Sequence, residues 1–78
     1  MLTFDEMRAD VARVVHEAPE DIDPDENLAD LGIDSMRAMR LLMAWEERLP
    51  GLDYGAFMEE PTLSGWWAVV QARQSAGA

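Results

Sequence analysis

Cysteine and lysine are both absent from this chain of 78 residues, and histidine occurs once, at His16. Without cysteine the chain can form no disulfide, no thiolate metal site and no thiol nucleophile. A single histidine also excludes a zinc site built from several histidines. The sequence contains no apolar run of membrane-spanning length and no basic, apolar amino-terminal segment of the secretory type. We therefore expect a cytoplasmic protein, in a bacterial or plastid-like setting.

Positive charge is also scarce, because six arginines face sixteen acidic residues and the formal net charge is −10. This charge repels nucleic-acid phosphates and anionic lipids, so we expect neither nucleic acid nor membrane among the partners. Protein partners should instead present basic patches, and their binding should weaken as salt rises. A domain of this size buries only about 60% of its unfolded surface, which leaves little room for a deep substrate pocket. The small size favours a binding or carrier module over a self-sufficient enzyme.

Apolar residues recur at helical spacing in three long segments and one short segment, and no strand pattern is visible. A capping box at Thr3 and Glu6 marks the first helix start, and Thr62 after Pro61 marks the last. The predicted helices cover residues 4–17, 35–48, 54–58 and 63–73, followed by a frayed tail over 74–78. The sequence predicts an all-α fold, a small four-helix bundle of three long helices and one short one, forming a single domain over 1–78.

The segment between the first two helices, residues 18–34, has no periodicity and carries only acidic charges. A loop of this length is either functional or disordered in most compact domains. Four apolar residues are spaced so that they can pin it onto the core, which predicts a structured loop: Ile22, Leu28, Leu31 and Ile33.

The same loop resembles a calcium-binding frame, because Asp23, Asp25 and Asn27 alternate as ligands do in an EF-hand. Leu28 stands where that frame needs glycine, and Asp34 stands where it needs glutamate. We expect Leu28 to point into the core and predict no dedicated metal site.

Ser35 lies where the second helix is predicted to begin. The first N–H groups of a helix lack intrahelical partners and form the positive end of the helix dipole, so this position favours a phosphate. A catalytic serine would need an adjacent base, and the chain has no G-x-S-x-G motif and no motif around His16, which we expect on the surface. Two interpretations stay open: Asp34 and Ser35 as a plain helix cap, or Ser35 as the carrier of a phosphate-linked group.

Methionines and tryptophans suggest how the surface and the core are divided. We expect Met43 to fill the core, whereas Met36, at the helix start, suits an adaptable docking surface. Trp66 and Trp67 are about 100° apart on a helix, so one should anchor the core and the other should lie at its edge.

Residues 31–36, LGIDSM, resemble the (L)G-x-D-S-(L/M/V) phosphopantetheine attachment signature of acyl and peptidyl carrier proteins. The longer pattern is similar to the aryl carrier domains of siderophore-type nonribosomal peptide synthesis. It consists of GIDSMRAM at 32–39, Trp45, Asp53-Tyr54 and PTLSGWW at 61–67. This resemblance extends from the first helix to about Val70.

The resemblance implies that Ser35 carries 4′-phosphopantetheine taken from coenzyme A, whose thiol holds an aryl or aminoacyl group as a thioester. Asp34 would cap the helix and present the serine. The implied partner-facing patch consists of Met36, Met39, Tyr54 and Met58. Glu59 and Glu60 depart from the family pattern, because siderophore relatives can carry a basic residue in that region.

The resemblance also implies a free-standing, monomeric carrier that is not itself an enzyme. Its partners would be a phosphopantetheinyl transferase, an adenylation enzyme that loads the thiol, and a condensation or tailoring enzyme that receives the cargo. Two alternatives stay open. One is an acyl carrier protein of fatty-acid or polyketide synthesis, which the tryptophans disfavour; the other is an acidic helical interaction module without a cofactor.

Overall fold

The computed structural model describes residues 1–76, which contain four α-helices and a short 3-10 turn joined by loops. No β-strand occurs among these residues. The helices are α1 Phe4–Val15, α2 Ser35–Arg48, α3 Tyr54–Glu59 and α4 Leu63–Ala76, and the 3-10 turn spans Pro19–Asp21. The predicted all-α architecture of three long helices and one short one is confirmed. No helix in this part of the chain combines the length and apolarity needed to cross a bilayer.

The ends of α1 follow from local hydrogen bonds. At its start the Glu6 backbone N–H donates to Thr3 Oγ1 at 3.1 Å, and the Thr3 N–H donates to Glu6 Oε1 at 3.0 Å, which forms the predicted capping box. The helix ends at Val15, earlier than the predicted end at residue 17, because His16 adopts a left-handed conformation with φ 60°. The Glu17 N–H then donates to the Ala12 carbonyl at 3.0 Å, which closes the last turn. His16 is exposed, as predicted.

Three aromatic rings in edge-to-face contact form the centre of the core. The Trp66 ring lies 5.7 Å from that of Trp45 and 5.5 Å from that of Phe57, centroid to centroid. The Trp66 indole N–H donates to the Phe57 carbonyl at 3.0 Å, so the buried polar group of this ring is satisfied. Trp67 is half-buried and packs edge-to-face against Phe4 at 6.0 Å. The prediction that one tryptophan anchors the core and the other lies at its edge is confirmed.

The last helix extends past its predicted end at residue 73. Gln74 binds the start of the chain with both ends of its amide: its Oε1 accepts from the Leu2 N–H at 2.8 Å, and its Nε2 donates to the Leu2 carbonyl at 3.0 Å. Positions 74–76 of the predicted frayed tail are therefore helical, since this contact holds α4 to the amino terminus. Positions 77–78 lie outside the described residues.

The acidic loop is ordered, as predicted, because it is fixed to the bundle through both side chains and backbone. Ile22, Leu28 and Ile33 are buried, and Leu31 is partly buried against the same core. Two backbone hydrogen bonds join the loop to the start of α4: the Leu28 N–H donates to the Pro61 carbonyl at 2.8 Å, and the N–H of residue 64 donates to the carbonyl of residue 24 at 2.9 Å. These contacts determine where the chain enters α2.

Candidate functional site

Ser35 is the first residue of α2 and is exposed. Asp34 precedes it as the N-cap in an extended conformation, and its Oδ1 accepts from the Arg37 N–H at 2.8 Å. Gly32 lies in the turn before α2 with a φ of +103°, a conformation that residues with a side chain rarely adopt. The structure thus places both sequence-predicted residues, Asp34 and Ser35, at one exposed helix start.

The Ser35 hydroxyl makes no hydrogen bond within the described residues, which sets it apart from the other serine at a helix start. Ser64 lies in the first turn of α4, and its Oγ donates to Asp25 Oδ1 at 2.9 Å. Ser64 is half-buried, and its hydroxyl holds the acidic loop to α4. Of these two serines, Ser35 alone offers a free hydroxyl to an incoming enzyme.

The electrostatics at Ser35 favour an anion attached to its oxygen. The first N–H groups of α2 point toward this end of the helix, and the helix dipole adds partial positive charge there. Asp34 occupies the Arg37 N–H, and the Arg37 guanidinium donates to the Gly32 carbonyl at 3.2 Å. The Asp34 side chain does not accept from the N–H groups of Ser35 and Met36, so these groups can face a phosphodiester on Ser35 Oγ.

A shallow cleft of about 230 Å³ opens beside Ser35, between the start of α2, the acidic loop and α3. Buried core residues form its floor, and Met58 stands at its edge. Its apolar lining is Leu28, Ala29, Ile33, Ala38, Phe57, Met58, Pro61 and Trp66. An arm attached to Ser35 therefore starts next to an apolar surface.

The methionines of α2, together with Met58 of α3, are on the surface. Met36, Met39, Met43 and Met58 are 69%, 37%, 58% and 53% exposed, so the prediction that Met43 fills the core was wrong. The core face of α2 is formed instead by Ala38, Leu41, Leu42 and Trp45. Met36, Met39 and Met43 follow each other by three and four positions and share one outward stripe. Met36 was expected at the surface, so the position of Met43 on the same face as Met36 was the signal that could have assigned Met43 to the surface.

Tyr54 occupies a different setting from the other predicted patch residues. It is half-buried, packs against the core, and lines a shallow groove with Met43, Glu46 and Glu47. Met58, in contrast, lines the cleft of Ser35. The structure thus places Tyr54 beside the carboxyl-terminal part of the methionine stripe, and the role of all four residues in docking stays a prediction.

The side-chain oxygens of the calcium-like frame accept hydrogen bonds from the protein: Asp25 from Ser64 of α4, and Asp23 and Asn27 from backbone N–H groups of the loop. Asp23 Oδ1 accepts from the Asp25 N–H at 2.9 Å, and Asn27 Oδ1 accepts from the Ala29 N–H at 2.8 Å. Leu28, which stands where an EF-hand needs glycine, is buried, as predicted. Between residues 1 and 76 no group of three or more histidine, cysteine or acidic side chains is arranged to hold a metal ion.

Residues 5–70 match the sequence model of the phosphopantetheine attachment site. The chain belongs to this family. Phosphopantetheine, the predicted cofactor, is thereby confirmed as the group that is attached to proteins of this family. Proteins of the family are in general carriers without catalytic activity of their own. The exposed serine at the start of α2 and the apolar cleft beside it are consistent with such an attachment.

Curated relatives within the family include a small carrier and parts of large synthases. Acyl carrier protein ScoB of Streptomyces coeruleorubidus is 33% identical over 73 residues, which cover 94% of this chain and 86% of that protein. Pseudomonine synthase PmsE of Pseudomonas entomophila is 39% identical over 64 residues, covering 82% of this chain and 10% of the synthase. Enterobactin synthase component B of Escherichia coli is 31% identical over 64 residues, covering 82% of this chain and 22% of that protein. No solved structure matches the chain significantly.

Proposed function

We propose that Ser35 is the attachment residue of 4′-phosphopantetheine and that the chain carries an aryl or aminoacyl group between enzymes of nonribosomal peptide synthesis. The observation that carries this proposal is the free, exposed Ser35 hydroxyl at the capped start of α2. When bound, the cofactor supplies a thiol that holds the cargo as an activated thioester. The chain itself supplies the tether and the surface on which enzymes dock.

The residues around Ser35 have separate roles in this function. Asp34 caps α2 and so keeps the serine at the helix end, where the dipole stabilises the anionic phosphodiester. Met36, Met39, Tyr54 and Met58 form a partner-facing patch. A phosphopantetheinyl transferase supplies the chemistry of attachment, an adenylation enzyme loads the thiol, and a condensation or tailoring enzyme receives the cargo. A flexible arm raises the effective concentration of that cargo at each partner's active site.

An aryl or aminoacyl cargo is favoured by the relatives and by the interior of the bundle. Two relatives are synthases named for pseudomonine and enterobactin. The edge-to-face rings of Trp45, Trp66 and Phe57 fill the centre of the core, which leaves little space for a long aliphatic chain. The second candidate function, an acyl carrier of fatty-acid or polyketide synthesis, is supported by the similarity to acyl carrier protein ScoB over most of both chains.

Intact-mass measurement after incubation with coenzyme A and a broadly specific phosphopantetheinyl transferase tests the attachment. We expect the wild-type chain to gain the mass of one phosphopantetheine and Ser35→Ala to gain none. Ser64→Ala is the matched control, since it removes the other serine at a helix start and should still be modified. A wild-type chain that gains no mass, or a Ser35→Ala chain that does, would contradict the proposal and favour a cofactor-free interaction module.

Loading assays then separate the two candidate cargoes. The modified chain is incubated with ATP and, in turn, an aryl-acid adenylating enzyme, an amino-acid adenylating enzyme and a fatty acyl ligase, and thioester formation is followed by intact mass. We expect loading by the first or second enzyme. Efficient loading by the fatty acyl ligase alone would favour the acyl carrier function.

A further inference from the structure

The loop between α2 and α3 is held from two sides by charged side chains. The Glu46 carboxylate of α2 accepts from two successive backbone N–H groups, that of Gly51 at 2.9 Å and that of Leu52 at 3.0 Å. From α4, Arg73 Nε donates to the Pro50 carbonyl at 2.8 Å. Hydrogen bonds with an ionised partner are about twice as strong as those between neutral groups, so these three bonds hold the loop firmly.

Gly51 lies where these contacts converge. Its φ is +93°, and a Cβ added there would lie 2.6 Å from Arg73 Nε. The guanidinium therefore packs against the loop more closely than a residue with a side chain would allow. Leu52, the next residue, is buried in the core. The loop thus joins α2 to α4 through specific contacts, and its conformation is fixed before the chain enters α3.

The short helix α3 depends on anchors at both ends. It has six residues, and a helix of that length is not stable by itself in water. Near its end Phe57 is buried, and the Phe57 carbonyl accepts from the Trp66 indole N–H at 3.0 Å. At its start Asp53 Oδ1 accepts from the Ala56 N–H at 3.2 Å, and the loop held by Glu46 immediately precedes this cap. The position of the first turn of α3 therefore follows that of the loop.

We propose that Glu46 is a positioning residue for the loading reaction. By holding the loop it fixes the start of α3, and with it Tyr54, at the surface where the adenylating enzyme docks. This role rests on the proposed function of the chain. Glu46 and Tyr54 line the same shallow groove, so the carboxylate lies next to the residue that it positions. Glu46 follows Ser35 by eleven positions, about 16.5 Å along the helix axis at about 1.5 Å per residue, so it acts on the docking surface and not on the serine.

Hydrogen exchange with a matched control tests whether Glu46 holds the loop. Glu46→Ala and Glu47→Ala remove the same charge from adjacent positions, and both residues line the groove of Tyr54. Glu47 is exposed, and its side chain makes no hydrogen bond within residues 1–76. We expect the Gly51 and Leu52 amides, followed by NMR, to exchange about tenfold faster in Glu46→Ala and at the wild-type rate in Glu47→Ala. Glu46→Gln keeps one acceptor oxygen, so one of the two amides should stay protected.

Loading of the chain that carries phosphopantetheine tests the consequence for the reaction. The measurement is KM and kcat for thioester formation with ATP and the adenylating enzyme that loads the wild-type chain. We expect Glu46→Ala to raise KM about fivefold and to leave kcat unchanged, because docking weakens while the thiol reacts as before. Glu47→Ala should match the wild type, and Glu46→Gln should fall between them. Circular dichroism and slow exchange of the amide of Leu42, a buried residue of α2, check that each variant is folded.

The outcomes separate this role from the proposed function. Equal amide exchange in Glu46→Ala and Glu47→Ala would show that Glu46 does not hold the loop and would overturn the role. Faster exchange in Glu46→Ala with an unchanged KM would overturn it as well, since the loop would then not position the docking surface. A rise in KM that Glu47→Ala shared would trace the effect to the charge of the groove, with the same consequence. These three results leave Ser35 as the attachment site, whereas a wild-type chain that is not modified would remove both proposals.

Discussion

Removal of the Asp34 side chain is the sharpest test of how α2 holds Ser35. Asp34 Oδ1 accepts from the Arg37 N–H at 2.8 Å, and its carboxylate lies at the positive end of the helix dipole. Asp34→Ala removes both the hydrogen bond and the charge, whereas Asp34→Asn keeps the hydrogen bond and removes the charge. The two variants therefore separate the contributions of the cap and the dipole.

The expected loss follows from these two interactions. Replacement of an N-cap aspartate by alanine costs about 1 kcal/mol, and an acidic group at an exposed helix start contributes roughly 0.3–1 kcal/mol. We expect Asp34→Ala to lower the free energy of unfolding by about 1.5 kcal/mol and Asp34→Asn by about 0.5 kcal/mol. A domain of this size loses roughly 4–8 °C in Tm per kcal/mol, so Asp34→Ala should melt about 6–12 °C below wild type.

Thermal unfolding followed by far-ultraviolet circular dichroism measures these shifts. Asp30→Ala is the control, because Asp30 is exposed in the same acidic loop and its side chain makes no hydrogen bond within the described residues. It removes the same charge, so its Tm should stay at or slightly above the wild-type value. If Asp34→Ala and Asp30→Ala had the same Tm, the cap would contribute nothing and the account of how Ser35 is positioned would be wrong.

Two further predictions concern the core and the pH dependence of stability. Trp66→Phe should cost about 2–3 kcal/mol, because it opens a cavity and leaves the buried Phe57 carbonyl without its donor, whereas Trp67→Phe should cost under about 1 kcal/mol. Chemical denaturation compares the two, and equal losses would contradict the assignment of Trp66 as the anchor. The pKa of Glu6 lies below its ordinary value of 4.5, chiefly because the Arg48 guanidinium donates a hydrogen bond to it. The depressed pKa adds stability that is complete above about pH 4.5 and is lost as pH falls through the folded pKa, so Glu6→Gln should flatten the acid side of the stability profile. If the stability of Glu6→Gln fell as steeply with decreasing pH as that of the wild type, this explanation would be refuted.

Local signals in the sequence determined most of the helix starts. Thr3 with Glu6, Asp34 and Thr62 are capping residues whose bonding partners lie within three positions, and each caps the helix that it was predicted to cap. The helix ends were harder to predict because they depend on other contacts. The left-handed residue that ends α1 is a histidine rather than a glycine, and α4 is extended by Gln74 contacting a residue at the other end of the chain. No local pattern encodes such a contact.

The misassignment of Met43 has a physical cause that also bears on function. α2 carries two apolar stripes: one is buried and consists of Ala38, Leu41, Leu42 and Trp45, and the other is exposed and consists of Met36, Met39 and Met43. Both have helical spacing, so periodicity alone cannot decide which of them faces the core. Met36 and Met43 keep more than half of their surface exposed in the isolated chain, so they add less to the free energy of unfolding than the buried stripe does. Because this apolar stripe stays exposed next to an exposed serine, we propose that a partner covers it.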